Sequence, residues 1–309
     1  MQWIAALPAG AVVAACGGTD APDIPLISSS EEEAATPVPP TATPEPPFIV
    51  GEGEQELTLM TGTAQQTPLY VFGTGRLGPI VMALGGVHGN EPGGWLAAER
   101  IVEDVRPQTG ALLVIPRANR QATNLFARTT DELGDLNRLY PGRWDGLPME
   151  RMALEIVETL RAYHADLVID MHESWSFYRD RTDTNTGTAW LGQTMSSPTE
   201  SGINLARHLV EAQNARMQRP VEEFTLREWP PRSATFATAV PGSFSGPTPE
   251  PGTSGQGAVF GGSRSSLGLP THVPGLAAIL VEMGQQQTLE RRTQMHVDIV
   301  TEALAHLGA

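Results

Sequence analysis

The chain of 309 residues carries 35 acidic and 20 basic residues, a net charge of −15, and every basic residue is an arginine. The lack of lysine excludes Schiff-base chemistry, lysine nucleophiles and a GxxxxGK phosphate loop. An acidic chain repels phosphate, so no nucleic-acid partner is expected, and the single cysteine excludes both a disulfide framework and a Cys-based zinc site.

Residues 4–16 form an apolar run too short to span a bilayer, and they match the h-region of a secretory signal. The run ends in Val13-Ala14-Ala15-Cys16, similar to a bacterial lipobox, although Met1-Gln2-Trp3 lacks the usual positive charge. Residues 1–16 are therefore read as a lipoprotein signal, with Cys16 the expected site of a lipid anchor to the outer side of the bacterial cell membrane. If the lipobox is not processed, the protein is expected to be secreted. Residues 17–47 are acidic and Pro/Thr-rich, with no basic residue. Such a stretch buries too little apolar surface to offset chain entropy and reads as a disordered tether. Residues 48–309 read as one catalytic domain.

Within that domain short apolar runs alternate with longer amphipathic segments. Strands are expected at Leu57–Thr61, Leu69–Gly73, Ile80–Gly85, Ala111–Pro116, Leu167–Met171 and Ala277–Met283. Several are continuous apolar runs, as strands covered on both faces require. Helices are expected at Gly93–Val105, Pro148–Tyr163, Gly202–Met217 and Leu289–Leu307. The alternation predicts an α/β fold, a mostly parallel or mixed twisted sheet flanked by helices. Residues 241–270 are rich in Gly, Ser, Thr and Pro and read as a long loop.

Ligand sites in open α/β sheets lie beyond the carboxyl ends of the strands. After the run Ile80–Gly85 come His88 and Glu91, separated by a Gly-containing bend and followed by Pro92, which suits a first helical turn. After Leu167–Met171 comes His172, and after Ala277–Val281 comes Glu282. Two His and one Glu suit a zinc ion with an open fourth position, and a further carboxylate can serve as general base. Each position alone is ordinary; three at three strand ends are a stronger signal.

With Asp135-Leu136-Asn137-Arg138-Leu139-Tyr140-Pro141-Gly142 added, the sequence resembles the zinc carboxypeptidase superfamily, and within it the succinylglutamate desuccinylase/aspartoacylase family. The likeness rests on GGVHGNEPGG at 85–94, DLNRLYPG at 135–142, LVIDMH at 167–172 and ILVEMG at 279–284, in order along residues 78–309. It implies a zinc carboxypeptidase-like catalytic domain with one Zn2+ held by His88, Glu91 and His172. It implies Glu282 as the base that later returns its proton to the leaving amine. Asn137 and Arg138 would hold a substrate carboxylate, and Arg128, or else Arg120, would polarise the scissile carbonyl. Two departures stand out. No tyrosine follows Tyr178, where carboxypeptidases carry a substrate-binding one, and the sequence after Glu282 reads as one helix where aspartoacylases add a β-rich domain.

The expected activity is hydrolysis of an amide bond in a carboxylate-bearing substrate, as in N-acyl amino acid deacylases. A metallocarboxypeptidase acting on peptides or cell-wall peptides is the alternative, and a catalytically inactive binding lipoprotein the rival from another class. Among other polar residues, Asp170 is read as a buried structural group and Glu173 as pointing away from the metal. His272 and Arg264 are further candidates to face the pocket.

Overall fold

The computed structural model describes residues 47–228 and 264–309. The lipobox with Cys16, the tether up to residue 46 and most of the 241–270 stretch lie outside the described residues. Among the described residues no helix is long and apolar enough to cross a membrane.

The strands are β1 (Gly53–Leu59), β2 (Thr67–Gly73), β3 (Ile80–Leu84), β4 (Ala111–Ile115), β5 (Leu167–Ser174), β6 (Thr194–Ser197), β7 (Thr225–Glu228) and β8 (Ala277–Gly284). They form one sheet of order β1-β2-β4-β3-β5-β8-β6-β7. The central strands β4, β3, β5 and β8 are parallel, while β2 and β6 run antiparallel to their inner neighbours. The sheet is thus mixed, within the α/β class that the sequence pattern predicted. The helices are α1 (Pro92–Asp104), α2 (Arg120–Leu125), α3 (Pro148–Ala162), α4 (Glu200–Asn214) and α5 (Leu289–Leu307).

Two layers cover the sheet. On one face Met149, Met152, Ile156 and Leu160 of α3, at helical spacing, pack with Leu113, Ile115 and Val168. On the other, Ile101 of α1, Leu205 and Leu209 of α4 and Ile299 and Ala303 of α5 pack with Ala83, Val114, Ile169 and Ile279. This double cover explains why every residue of β3 and β4 is buried and apolar. Truncating one such Leu or Ile to Ala would cost about 2–5 kcal/mol.

The structure departs from the sequence-based elements in several places, among them β7, which no sequence pattern marked, and β1, which starts at Gly53. β5 runs on to Ser174 because β8 continues to pair beside it, His172 opposite Glu282 and Ser174 opposite Gly284. His172 therefore sits inside a strand rather than after it, level with Glu282 inside β8. β6, with sequence Thr-Met-Ser-Ser, has no apolar run, yet all of it is buried by neighbours. The six-residue α2 is too short for periodicity to mark it, and is started by Asn119, whose side chain accepts from the Ala122 amide.

Candidate metal centre

The turn after β3 carries the first two candidate ligands. Gly86 has φ of +68°, and a Cβ there would press on the Arg117 backbone. Glycine lets the chain turn at this point without that clash. The segment is pinned by Ala118 N–H to Gly85 O (3.0 Å) and Asn119 N–H to Gly86 O (2.8 Å). His88 follows, and Glu91 stands at the start of α1 with Pro92 behind it.

His88, Glu91 and His172 come together, all buried, with ligand atoms within 4.8 Å of one another. The Nδ1 of His88 lies 2.7 Å from Glu91 Oε1, the Nδ1 of His172 lies 2.8 Å from Glu91 Oε2, and the two Nδ1 atoms are 3.1 Å apart. The outward nitrogens are also engaged: His88 Nε2 meets Asp135 Oδ1 at 3.0 Å and His172 Nε2 meets Asp170 Oδ2 at 2.8 Å. The Glu173 amide donates to Glu91 Oε2 at 3.0 Å.

A proton count tests whether these residues fit a metal. Four ring nitrogens face three carboxylates at 2.7–3.0 Å, but two neutral imidazoles carry only two protons. With those protons on Nε2, toward Asp135 and Asp170, both Nδ1 lone pairs and the Glu91 carboxylate converge on one point. That arrangement requires positive charge at the centre. His172 shows the same demand: burial alone would lower its pKa, but Asp170 and Glu91 hold it well above the usual histidine value. Burial would likewise raise Glu91, yet the two imidazoles hold it well below the carboxylate range. A divalent cation at the Nδ1–Nδ1–carboxylate point meets the demand without the extra proton, and carboxylates behind metal-binding imidazoles are the usual support. The donor set of two nitrogens and a carboxylate suits zinc.

Glu282 lies half-buried on the same face of the sheet, directly across from His172 in the β5–β8 register. Its Oε2 accepts from Ser174 Oγ at 2.8 Å. Burial and then the Glu91 charge raise its pKa, partly offset by His172 and Ser174. Arg128 reaches the cluster from the loop after α2: its guanidinium is 3.4 Å from Glu91 and 3.3 Å from Asp135, and it is exposed on its other side. Arg120 instead donates to Gln66 O at the surface. Asn137 is buried, with Oδ1 accepting from Ser266 N at 2.9 Å and Nδ2 3.5 Å from His172 Nε2. Arg138 is half-buried, donates to Asn137 O at 2.6 Å, and forms no ion pair with an acid among the described residues.

Arg264 is exposed and faces Glu150 at 3.8 Å. His272 lies just before the start of β8, away from the strand ends that carry the cluster, its carbonyl accepting from Arg161. Glu173 turns to the opposite face and pairs with Arg292. Sequence reasoning missed Asp135, Ser174 and the role of Asp170. A period of two along β5 places Asp170, His172 and Ser174 on one face and carried that signal.

Fold and cluster together define an α/β domain with a buried His-Glu-His centre at the carboxyl ends of parallel strands. Residues 78–176 match the model of the succinylglutamate desuccinylase/aspartoacylase catalytic domain, which bears out the resemblance read from the motifs. No curated protein matches the sequence. Among solved structures, the product-bound cell shape determinant protein Csd4 of Helicobacter pylori superimposes with a TM-score of 0.59 at 18% identity, over 74% of this chain and 51% of that one. The chain thus spans about half the length of Csd4. A succinylglutamate desuccinylase/aspartoacylase from Rhodobacter sphaeroides aligns at 17% identity and TM-score 0.54, over 83% of this chain and 66% of that one. The ectoine utilization protein EutE (DoeB) of Ruegeria pomeroyi aligns at 18% identity and TM-score 0.55, over 86% and 70%. At these identities the likeness is one of fold.

Proposed function

We propose that the protein is a zinc-dependent hydrolase that cleaves an amide bond in a carboxylate-bearing substrate of the N-acyl amino acid type. We propose also that the domain is tethered outside the cell through lipid on Cys16. The observation that carries the catalytic reading is the proton count at the cluster, where His88, Glu91 and His172 leave no way to satisfy their nitrogens without added positive charge. Zinc held by these three residues supplies a Lewis acid for the scissile carbonyl and acidifies water.

The protein's own groups supply the rest. Glu282, oriented by Ser174, takes the proton from the attacking water and passes it to the departing amine, and its raised pKa suits both transfers. Arg128, held beside the cluster and open on one side, adds positive charge where the carbonyl oxygen gains negative charge. Arg138 forms no ion pair with an acid among the described residues and grips the substrate carboxylate in two-point contact. Asn137 Oδ1 already accepts from Ser266 N, so its share in binding falls to the amide N–H donors on Nδ2.

A carboxypeptidase reading has specific support in fold similarity to Csd4, described in one structure as a D,L-carboxypeptidase in its mDAP-bound form. It fits the expected extracytoplasmic address.

Metal content tests the main reading. Wild type purified without chelator should carry about one zinc per chain and His88→Ala almost none. A metal-free wild type overturns the proposal. Glu282→Gln should keep the zinc and lose about 10²–10⁴-fold in kcat; retained turnover rejects Glu282 as base. A panel of N-acyl amino acids, short peptides and muropeptides separates deacylase from carboxypeptidase.

A further inference from the structure

Beyond the end of β5 the chain forms a loop held by its own backbone. Ser176 N–H donates to Ala189 O at 2.8 Å, Gly192 N–H to Ser176 O at 2.9 Å and Tyr178 N–H to Gly192 O at 2.8 Å. Phe177 is buried beneath, against Gly284 at the end of β8. Gln286 Nε2 donates to the Trp175 carbonyl at 3.1 Å and ties the loop to the segment after β8. The loop reaches the metal centre through Ser174, whose Oγ lies 2.8 Å from Glu282 and 2.9 Å from the Thr188 carbonyl.

Between this loop and the segment after β8 lies a cleft of about 610 Å³, within the range of about 300–1,000 Å³ that small-molecule sites occupy. Trp175 and Trp190 line it. Trp175 is 61% exposed and Trp190 is half-buried. Among the described residues neither indole stacks on another ring or hydrogen-bonds through its N–H. Tryptophan is mostly buried in folded proteins, and two unpartnered indoles in one cleft offer flat apolar area for stacking.

Planar polar groups stand around them. The Asp180 carboxylate and the Asn185 side-chain amide make no hydrogen bond or ion pair among the described residues. Gln286 uses only its Nε2. Arg219 is already paired with Glu222 at 3.0 Å. This mixture selects a class of ligand. An anion would meet Asp180 and find Arg219 answered. An aliphatic ligand would cover Asp180, Asn185 and Gln286 without partners, which is costly. A pyranose suits both halves of the lining. Its C–H faces lie flat on an indole, and its hydroxyls, each donor and acceptor, satisfy a carboxylate and amides.

We propose that Trp175 and Trp190, with Asp180 and Asn185, form a binding site for a neutral saccharide, its rings stacked on the indoles. The site uses none of the metal ligands, and its occupancy is independent of the hydrolase reading.

The probes are cellotriose and chitotriose, β-1,4-linked oligomers whose equatorial substituents leave C–H on both ring faces. Calorimetric titration of the full chain to about 10 mM, ten times a millimolar Kd, should saturate with one or both. Trp175→Ala should weaken that binding about tenfold, as loss of a central aromatic contact does, and Trp175→Phe should keep part of it. Trp190→Ala should weaken it similarly; if that variant does not fold, Trp175→Ala decides, since its side chain is exposed. Phenylalanylglycine is the control and should bind more weakly than the sugars. Binding of neither sugar, or affinity unchanged by Trp175→Ala, overturns the site. A dipeptide that binds as tightly as the sugars makes the indoles an unselective apolar platform and overturns the saccharide assignment. Binding is read without turnover, so a failure of the hydrolase reading leaves this outcome untouched.

Discussion

Two buried glutamates beside β5 lie a hydrogen bond apart and have opposite fates. Glu173 faces the α1–α5 side and meets Arg292 Nε at 2.5 Å, with Gln285 Nε2 at 3.3 Å on its other oxygen. Its charge is answered within the protein. Burial still raises its pKa, against the pull of Arg292. Glu91 faces two imidazoles whose other nitrogens already meet carboxylates. Its surroundings contain more acceptors than protons. A buried carboxylate closed off by an arginine is part of the frame, whereas one that converges with imidazole lone pairs is a place for a cation.

The contrast can be broken most forcefully from the Glu173 side. Arg292→Met leaves a buried carboxylate unpaired and should cost about 3–5 kcal/mol of folding stability. The sign with pH is defined. The unpaired Glu173 keeps a folded pKa above the unfolded value, so the folded state holds its proton longer. Stability is then lost as pH rises through that interval, and denaturant melts should show a larger deficit at about pH 8 than at about pH 5. An equal deficit at both would mean that lost packing, not charge, dominates.

On the Glu91 side the expected loss is in metal affinity rather than stability. Asp170→Asn weakens the support of His172 and should lower zinc affinity about 10–100-fold in chelator competition. Unchanged affinity would show that Asp170 is only a buried structural group.

A smaller effect comes from His296 on α5, a buried imidazole whose pKa is pushed down to about 3 by burial and then by the charge of His172. Above the unfolded value near 6.5 both states are neutral; below it only the unfolded chain takes the proton. Stability should fall by about 1.4 kcal/mol per pH unit as pH drops below ~6.5. In metal-free protein, His296→Leu should flatten that slope between about pH 6.5 and pH 5. Parallel slopes for variant and wild type would remove His296 as the cause.

Much of the frame is legible in the sequence. The apolar runs of β3 and β4 match the strands because both faces are covered, so no polar residue interrupts them. α3 and α5 could be read because each buries one stripe at helical spacing. β6 and β7 could not: a four-residue strand made of Thr, Met and Ser owes its place to ladder pairing with β8, which leaves no local pattern. The site divides in the same way. His88, Glu91, His172 and Glu282 stood out as unusual groups at the ends of strands. Asp135, Asp170 and Ser174 did not, because a carboxylate or hydroxyl behind a ligand is ordinary in a sequence and acquires its role only from what it touches.

Local order along the chain therefore determined the strand–helix alternation, the absence of lysine chemistry and the residue types offered at each strand end. Tertiary structure decided which of those groups meet. It set His172 across from Glu282, turned Glu173 to the opposite face, gave Arg128 two carboxylates and left Arg138 with none among the described residues. Parity along a strand fixes which face a side chain takes. Which strand lies next to it is set by contacts between residues far apart in sequence, and the charge balance of the centre follows from that pairing.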